Sequence, residues 1–177
     1  MLMKCDPNPE VIKHLSHIIR ECFAQWKNLP KGNCTEIDFN KQPLPGESDV
    51  DSGSFLNNYP TIHLNPFKRK EKFERLTEFL KINDPLIKDY QHSNAIVYAP
   101  MTCMRWHTNS SFVGLRTYYT FTNGKGIFRY IDENGNVIDD HDNKGWTVRK
   151  FQVTRNPGFW HTVWTEQTRF SFGFMSQ

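Results

Sequence analysis

Cysteine is scarce and scattered in this chain. Cys5, Cys22, Cys34 and Cys103 are its four cysteines, and they form neither a C-x-x-C pair nor a dense framework. That argues against a cysteine-rich zinc module and a disulfide scaffold, and the expectation is reduced thiols in a cytoplasmic protein. Long apolar runs are missing too. None approaches the ~20 residues of a membrane span, and the start Met1-Leu2-Met3-Lys4-Cys5-Asp6-Pro7 carries no apolar signal core. Neither sign of charge dominates: 22 basic and 19 acidic residues leave a net charge of +3, and the run Lys68-Arg69-Lys70 is offset by Glu71 and Glu74. Nothing in that balance marks a nucleic-acid surface. The sequence also lacks a phosphate loop, a dinucleotide fingerprint, a nucleophile elbow, an internal repeat and a low-complexity tract.

What the chain has is aromatic residues, 14% of its 177 positions, enough for one domain with a largely aromatic core. Val11, Leu15, Ile18, Ile19, Cys22, Phe23 and Trp26 recur at helical spacing and predict one amphipathic helix from Pro9 to about Lys27, with His14 and His17 at its surface or margin. A second helix is expected from Phe67 to about Ile82, burying Phe73, Leu76, Phe79 and Leu80. Between them, residues 28 to 66 are rich in Pro, Gly, Asn, Ser and Asp, with a strand-like alternation at Ile37 and Phe39 and a loop histidine, His63. This stretch reads either as a lid or substrate-recognition segment or as a loop draped over the scaffold.

After the second helix the pattern changes to short runs of β-branched and aromatic residues: 94–98, 115–121, 127–131, 146–153, 159–164 and 168–175. Helices first and closely spaced strands afterwards, without crossover helices, predict a mainly β fold. Its strands should be largely antiparallel and form a two-sheet jelly roll, a double-stranded β-helix with the helices packed on one sheet. Residues 1–177 then form a single domain, with 1–92 as helical and loop support and 93–177 as the jelly-roll core. Asp132-x-Asn134-x-Asn136 begins like a calcium loop, but Gly135 is misplaced and Asn143 stands where Glu is required, so a hairpin turn is the better reading. Asp139-Asp140-His141-Asp142 reads as an exposed polar loop, and 132–145 as a second recognition element.

Two histidines have matching surroundings, Trp106-His107-Thr108-Asn109 and Trp160-His161-Thr162-Val163, and lie 54 residues apart. On an extended segment His107 and Asn109 share a face, and so do Phe159, His161 and Val163. Arg169 shares a face with Ser171 and Gly173, opposite Phe170, Phe172 and Phe174. A guanidinium among small residues has room for an anion, and burying it requires a permanent acidic residue or an acidic ligand.

From about Tyr98 to Phe174 these pieces, in this order, resemble the iron- and 2-oxoglutarate-dependent oxygenases, in particular their prolyl-hydroxylase-like branch. That family carries His-x-Asp/Glu, a second His a few dozen residues on, and then Arg or Lys. The resemblance implies an enzyme that binds Fe(II) and a small-molecule cosubstrate, 2-oxoglutarate, and hydroxylates a substrate while the cosubstrate is decarboxylated to succinate. It implies His107, His161 and Asn109 as the catalytic metal site, Arg169 and Ser171 as the cosubstrate anchor, and Tyr119 or Tyr118 as a tyrosine assisting it. The chain departs from the family at Asn109, where a carboxylate is expected. Three consequences stand open: a weak third ligand, a ligand formed by deamidation at Asn109-Ser110, or a degenerate site in a non-catalytic binding or assembly module. Halogenating relatives, which also lack the carboxylate, carry a small residue there, so Asn109 argues against that chemistry.

Overall fold

The computed structural model describes residues 2–42, 44–45, 61–63, 70–83 and 90–176. In chain order the elements are β1 (Leu2–Cys5), α1 (Pro9–Glu21), α2 (Phe23–Trp26), α3 (Glu36–Asn40), β2 (Thr61–His63), α4 (Lys70–Asn83), β3 (Tyr90–Tyr98), β4 (Thr102–Cys103), β5 (Gly114–Thr122), β6 (Gly126–Ile131), β7 (Val137–His141), β8 (Gly145–Val153), β9 (His161–Thr165) and β10 (Arg169–Ser176). Two antiparallel sheets face each other, a larger one ordered β1-β8-β5-β10-β3-β2 and a smaller one ordered β4-β9-β6-β7. This is the mainly β jelly roll expected from the strand pattern.

Period-2 alternation divides the larger sheet into two cores. Its outer face sends Ala95, Val97, Tyr119, Val148, Phe170, Phe172 and Phe174 against Val11, Leu15 and Ile18 of α1 and Leu76 and Leu80 of α4. Its inner face sends Ile96, Tyr98, Tyr118, Phe151 and Val153 against Met104, Phe128 and Val163 on the side of the smaller sheet. Among the described residues no helix is long and apolar enough to cross a membrane. All four cysteines are free thiols.

Three local expectations are corrected. The first helix is interrupted at Cys22. Asn8 caps its start by accepting from the amides of Glu10 and Val11, and near its end the Trp26 indole donates to the Ile19 carbonyl at 3.0 Å. Trp26 then meets Phe170 edge-on at 5.0 Å, so a ring contact with the sheet accompanies the break. Second, Ile37 and Phe39 belong to a helix, α3, because Thr35 and Asp38 form a reciprocal capping box. Phe39 is fully buried while Ile37 is 66% exposed. Third, 132–145 is not one loop but contains β7, paired with β6.

Within the 28–66 stretch, the segment from Cys34 to Phe39 covers the outer face of the smaller sheet, whereas Thr61–His63 is the edge strand β2 of the larger sheet, so His63 lies on a strand and not in a loop. Cys34 and Phe39 pack with Cys103, Ile127 and Trp164, and the Trp164 indole donates to the Cys34 carbonyl at 2.9 Å. The Arg129 guanidinium stacks over Phe39, 4.3 Å from the ring centre. Residues 43, 46–60 and 64–66 of that stretch, and the expected helix start at 67–69, lie outside the described residues.

Because Phe39 is the apolar anchor of this cover, Phe39→Ala is expected to cost about 3–5 kcal/mol in urea unfolding, whereas Ile37→Ala stays within about 0.5 kcal/mol. Equal losses at the two positions would contradict the helical assignment of α3.

Candidate active site

Backbone pairing brings the two histidines together. The His107 amide donates to the His161 carbonyl at 3.0 Å and the His161 amide donates back at 2.9 Å, an isolated antiparallel bridge just ahead of the β4–β9 pairing. Directly opposed residues in such a pair put their side chains on one face, and the two ring centres lie 4.1 Å apart. Each imidazole is also held by its own chain: Nδ1 of His107 is 2.9 Å from the Arg105 carbonyl, and Nδ1 of His161 is 2.9 Å from that of Phe159. The carbonyl two residues back fixes the proton on Nδ1 and leaves Nε2 with its lone pair, the arrangement that orients metal-binding histidines.

His161 is 1% exposed and stacks on Phe128 at 5.3 Å, with Phe151 and Phe159 beside it. Burial, then neighbouring His107 and Arg116, pushes its pKa well below the ordinary imidazole value against the opposing hydrogen bond to Phe159. The ring is therefore neutral at neutral pH.

Asn109 reaches the pair by a turn rather than along a strand. Its φ of 56° lies in the left-handed region, which asparagine tolerates better than most residues. That turn brings the amide Nδ2 to 3.2 Å from Nε2 of His161. Among the described residues no cluster of three His, Cys, Asp or Glu groups is placed to hold a metal; the side chain beside His161 is the Asn109 amide.

His107, Asn109 and His161 line a compact cavity of about 160 Å³ together with Tyr98, Tyr118, Arg169 and Ser171. Of the residues named from the sequence, only Tyr119 is elsewhere. It points to the outer core, 4% exposed and edge-on to Phe174 at 6.1 Å. One position along β5 inverts the face, so the cavity has Tyr118 and the helix-covered core has Tyr119.

The reading of Asp139-Asp140-His141-Asp142 as an exposed polar loop is corrected in part: Asp139 to His141 lie on β7 with Asp139 and His141 exposed, while Asp142 turns inward. The Asp142 side chain is fully buried and bridges two guanidiniums: its Oδ2 accepts from Arg169 Nε at 2.8 Å and its Oδ1 from Arg149 Nη1 at 2.6 Å. Arg149 continues to Asp140 at 2.8 Å, and Asp140 to Lys4 at 2.8 Å. Burial alone would raise the Asp142 carboxyl, but Arg169 and Arg149 outweigh it and hold the group below the ordinary carboxylate range. Gly126 makes room for this carboxylate: a Cβ there would lie 2.1 Å from Oδ2.

Sequence reasoning missed Asp142 and Arg149, although the buried Arg169 had already called for an acidic partner. Tyr98, under the Arg169 guanidinium at 5.5 Å, is pushed up to about 12 by burial, against the opposing effect of Arg169. It is a neutral phenol at neutral pH.

No protein-family model matches the sequence, and none of the curated proteins compared with it does either. Solved structures do match. A prolyl-4-hydroxylase of Pseudomonas putida is similar with a TM-score of 0.54 at 12% identity, over 99% of this chain and 91% of that one. A Trichoplax adhaerens prolyl hydroxylase, in complex with a hypoxia inducible factor peptide fragment, has a TM-score of 0.54 at 10% identity, over 99% and 82%. A full-length Neurospora crassa protein in complex with alpha-KG has a TM-score of 0.50 at 12% identity, over 99% and 73%. At such identities the likeness establishes the fold, the jelly roll of these oxygenases.

Asp142 has its pKa depressed on folding, so its contribution is fully present above the unfolded carboxyl value and is lost as pH falls through the lower folded value. Asp142→Asn is expected to lose about 3–5 kcal/mol at neutral pH, because two buried guanidiniums lose their shared counter-charge. The gap between the variant and the wild type should narrow below about pH 4. Denaturant unfolding across pH measures both curves, and parallel curves would contradict the assignment.

Proposed function

We propose that this protein is an Fe(II)/2-oxoglutarate-dependent dioxygenase that hydroxylates its substrate while 2-oxoglutarate is decarboxylated to succinate. The observation that carries this reading is the pair of buried imidazoles with Nδ1 fixed by backbone carbonyls, in the same cavity as Arg169 and Ser171. His107 and His161 would hold iron through Nε2. A half-turn of the Asn109 amide, whose two ends are assigned from hydrogen bonding, would offer Oδ1 as the third donor. With two imidazoles and a neutral amide, the protein contributes no negative charge to the metal, so the site is one unit more positive than the usual facial triad. The cosubstrate's chelating carboxylate would then be the one negative group on the metal.

Within that cavity the chain has separate tasks. The Arg169 guanidinium, with the hydroxyls of Ser171 and Tyr118, would bind the distal carboxylate of 2-oxoglutarate. Phe128, Phe151 and Phe159 form an apolar wall around His161 that limits water. When bound, iron and 2-oxoglutarate activate dioxygen and supply the oxidising power. Four free thiols fit a reducing compartment.

A second reading has an observation of its own. The Asn109 amide already satisfies His161 Nε2 without a metal, as expected of a jelly roll that has lost catalysis and serves as a binding module. Metal affinity separates the two. In anaerobic calorimetric titration with Fe(II), the wild type is expected to bind at one site, His161→Ala to lose that site, and Asn109→Asp to bind roughly tenfold tighter or better because it restores the carboxylate. Arg169→Ala should weaken 2-oxoglutarate and leave Fe(II) binding largely intact. Absence of Fe(II) binding in folded wild type and in Asn109→Asp would establish the non-catalytic module instead.

A further inference from the structure

The Arg169 side chain is 2% exposed and held at two of its three nitrogens. Asp142 accepts from Nε at 2.8 Å, and Thr120 Oγ1 accepts from Nη2 at 3.4 Å. The Tyr98 ring lies against the guanidinium, 5.5 Å from its centre. Asp142 is itself held from three sides: its backbone amide donates to the Gly126 carbonyl at 2.8 Å, its second oxygen is engaged by Arg149, and its carboxylate fills the space a Gly126 Cβ would need. Arg169 nonetheless lines the cavity. With the Nε edge taken, the Nη1/Nη2 end is, among the described residues, the part of the group left for a ligand.

From this geometry we infer that Asp142 and Thr120 are positioning residues. They present the end of the Arg169 guanidinium as a fixed fork for a planar carboxylate and so make the cavity select a 2-oxo diacid over a 2-oxo monoacid. The inference rests on the proposed function. A guanidinium free to turn about its last torsions would offer a diffuse positive charge to any anion, whereas one clamped from behind has its two end nitrogens already aligned with the two oxygens of a carboxylate. Asp142 divides its charge between Arg169 and Arg149, so the fork offers the ligand directional hydrogen bonding as well as attraction. Recognition by directional hydrogen bonds discriminates strongly against an analogue lacking the partner group.

The test compares 2-oxoglutarate with pyruvate, which keeps the metal-chelating 2-oxo acid and lacks the distal carboxylate. Affinities of both for the Fe(II)-loaded full chain are measured anaerobically by equilibrium dialysis, for wild type, Asp142→Asn and the near-isosteric Thr120→Val. Wild type should prefer 2-oxoglutarate. Asp142→Asn should weaken 2-oxoglutarate roughly tenfold or more, and Thr120→Val a few-fold, with pyruvate affinity unchanged in both. A general loosening of the fold would weaken both acids together. If Asp142→Asn does not fold, the Thr120→Val ratio decides alone.

Wild-type selectivity retained in the folded variants overturns the inference, and so does tighter 2-oxoglutarate binding by Asp142→Asn, which would make Asp142 a competitor for Arg169. A wild type that takes up Fe(II) but does not distinguish the two acids overturns the cosubstrate assignment itself, which separates that failure from failure of the inference.

Discussion

A carboxylate buried between two buried guanidiniums is the constraint on which the interior of this jelly roll depends. Arg149 on β8 and Arg169 on β10 are buried side chains, the first over the Phe128 ring and the second over that of Tyr98. Neither is tolerable there without a counter-charge, because an isolated ion in such surroundings costs several kcal/mol. Asp142, one residue beyond β7, supplies that charge to both and thereby ties the end of the smaller sheet to two strands of the larger one. Gly126 follows from this requirement, since another side chain at that position would occupy the space of the carboxylate. The same bridge fixes the direction in which Arg169 meets the cavity.

A second device acts at the histidines. His107 and His161 exchange backbone hydrogen bonds beside the β4–β9 pairing of the smaller sheet, and each ring is oriented by the carbonyl two residues before it. The matching Trp-His-Thr surroundings therefore correspond to a repeated local geometry at two facing positions. Burial keeps both rings from solvent, and the proximity of His107 and Arg116 disfavours a proton on His161. Two facing imidazoles, each with its Nδ1 edge turned to the backbone, are suited to a divalent cation through Nε2. The Asn109 amide beside His161 sets this pair apart from a site with a carboxylate.

Much of this was legible in the sequence because periodicity is a strong signal when one face of a strand must be buried. Arg169 and Ser171 against Phe170 and Phe172, and Phe159, His161 and Val163 against Trp160 and Trp164, gave the faces before any coordinates, and the order of helices and strands gave the jelly roll. Other features were not legible, for identifiable reasons. Ile37 and Phe39 alternate like a strand, but the Thr35–Asp38 capping box decides for helix. The choice between Tyr118 and Tyr119 turns on a single residue of register, which neighbouring aromatic residues do not fix. Asp142 looked like loop because acidic residues so often are; its partner on β8 is local, but the one on β10 lies 27 residues away and becomes apparent only once the sheets close.

The most direct test of the central claim, that this cavity assembles iron and 2-oxoglutarate together, is optical. Fe(II) and 2-oxoglutarate are added anaerobically to the folded wild type, and the visible charge-transfer band of the chelated pair is followed. The account predicts a saturable band that requires both components and disappears in His161→Ala. No band in the wild type under conditions where Fe(II) is bound, or a band that persists undiminished in His161→Ala, would contradict it.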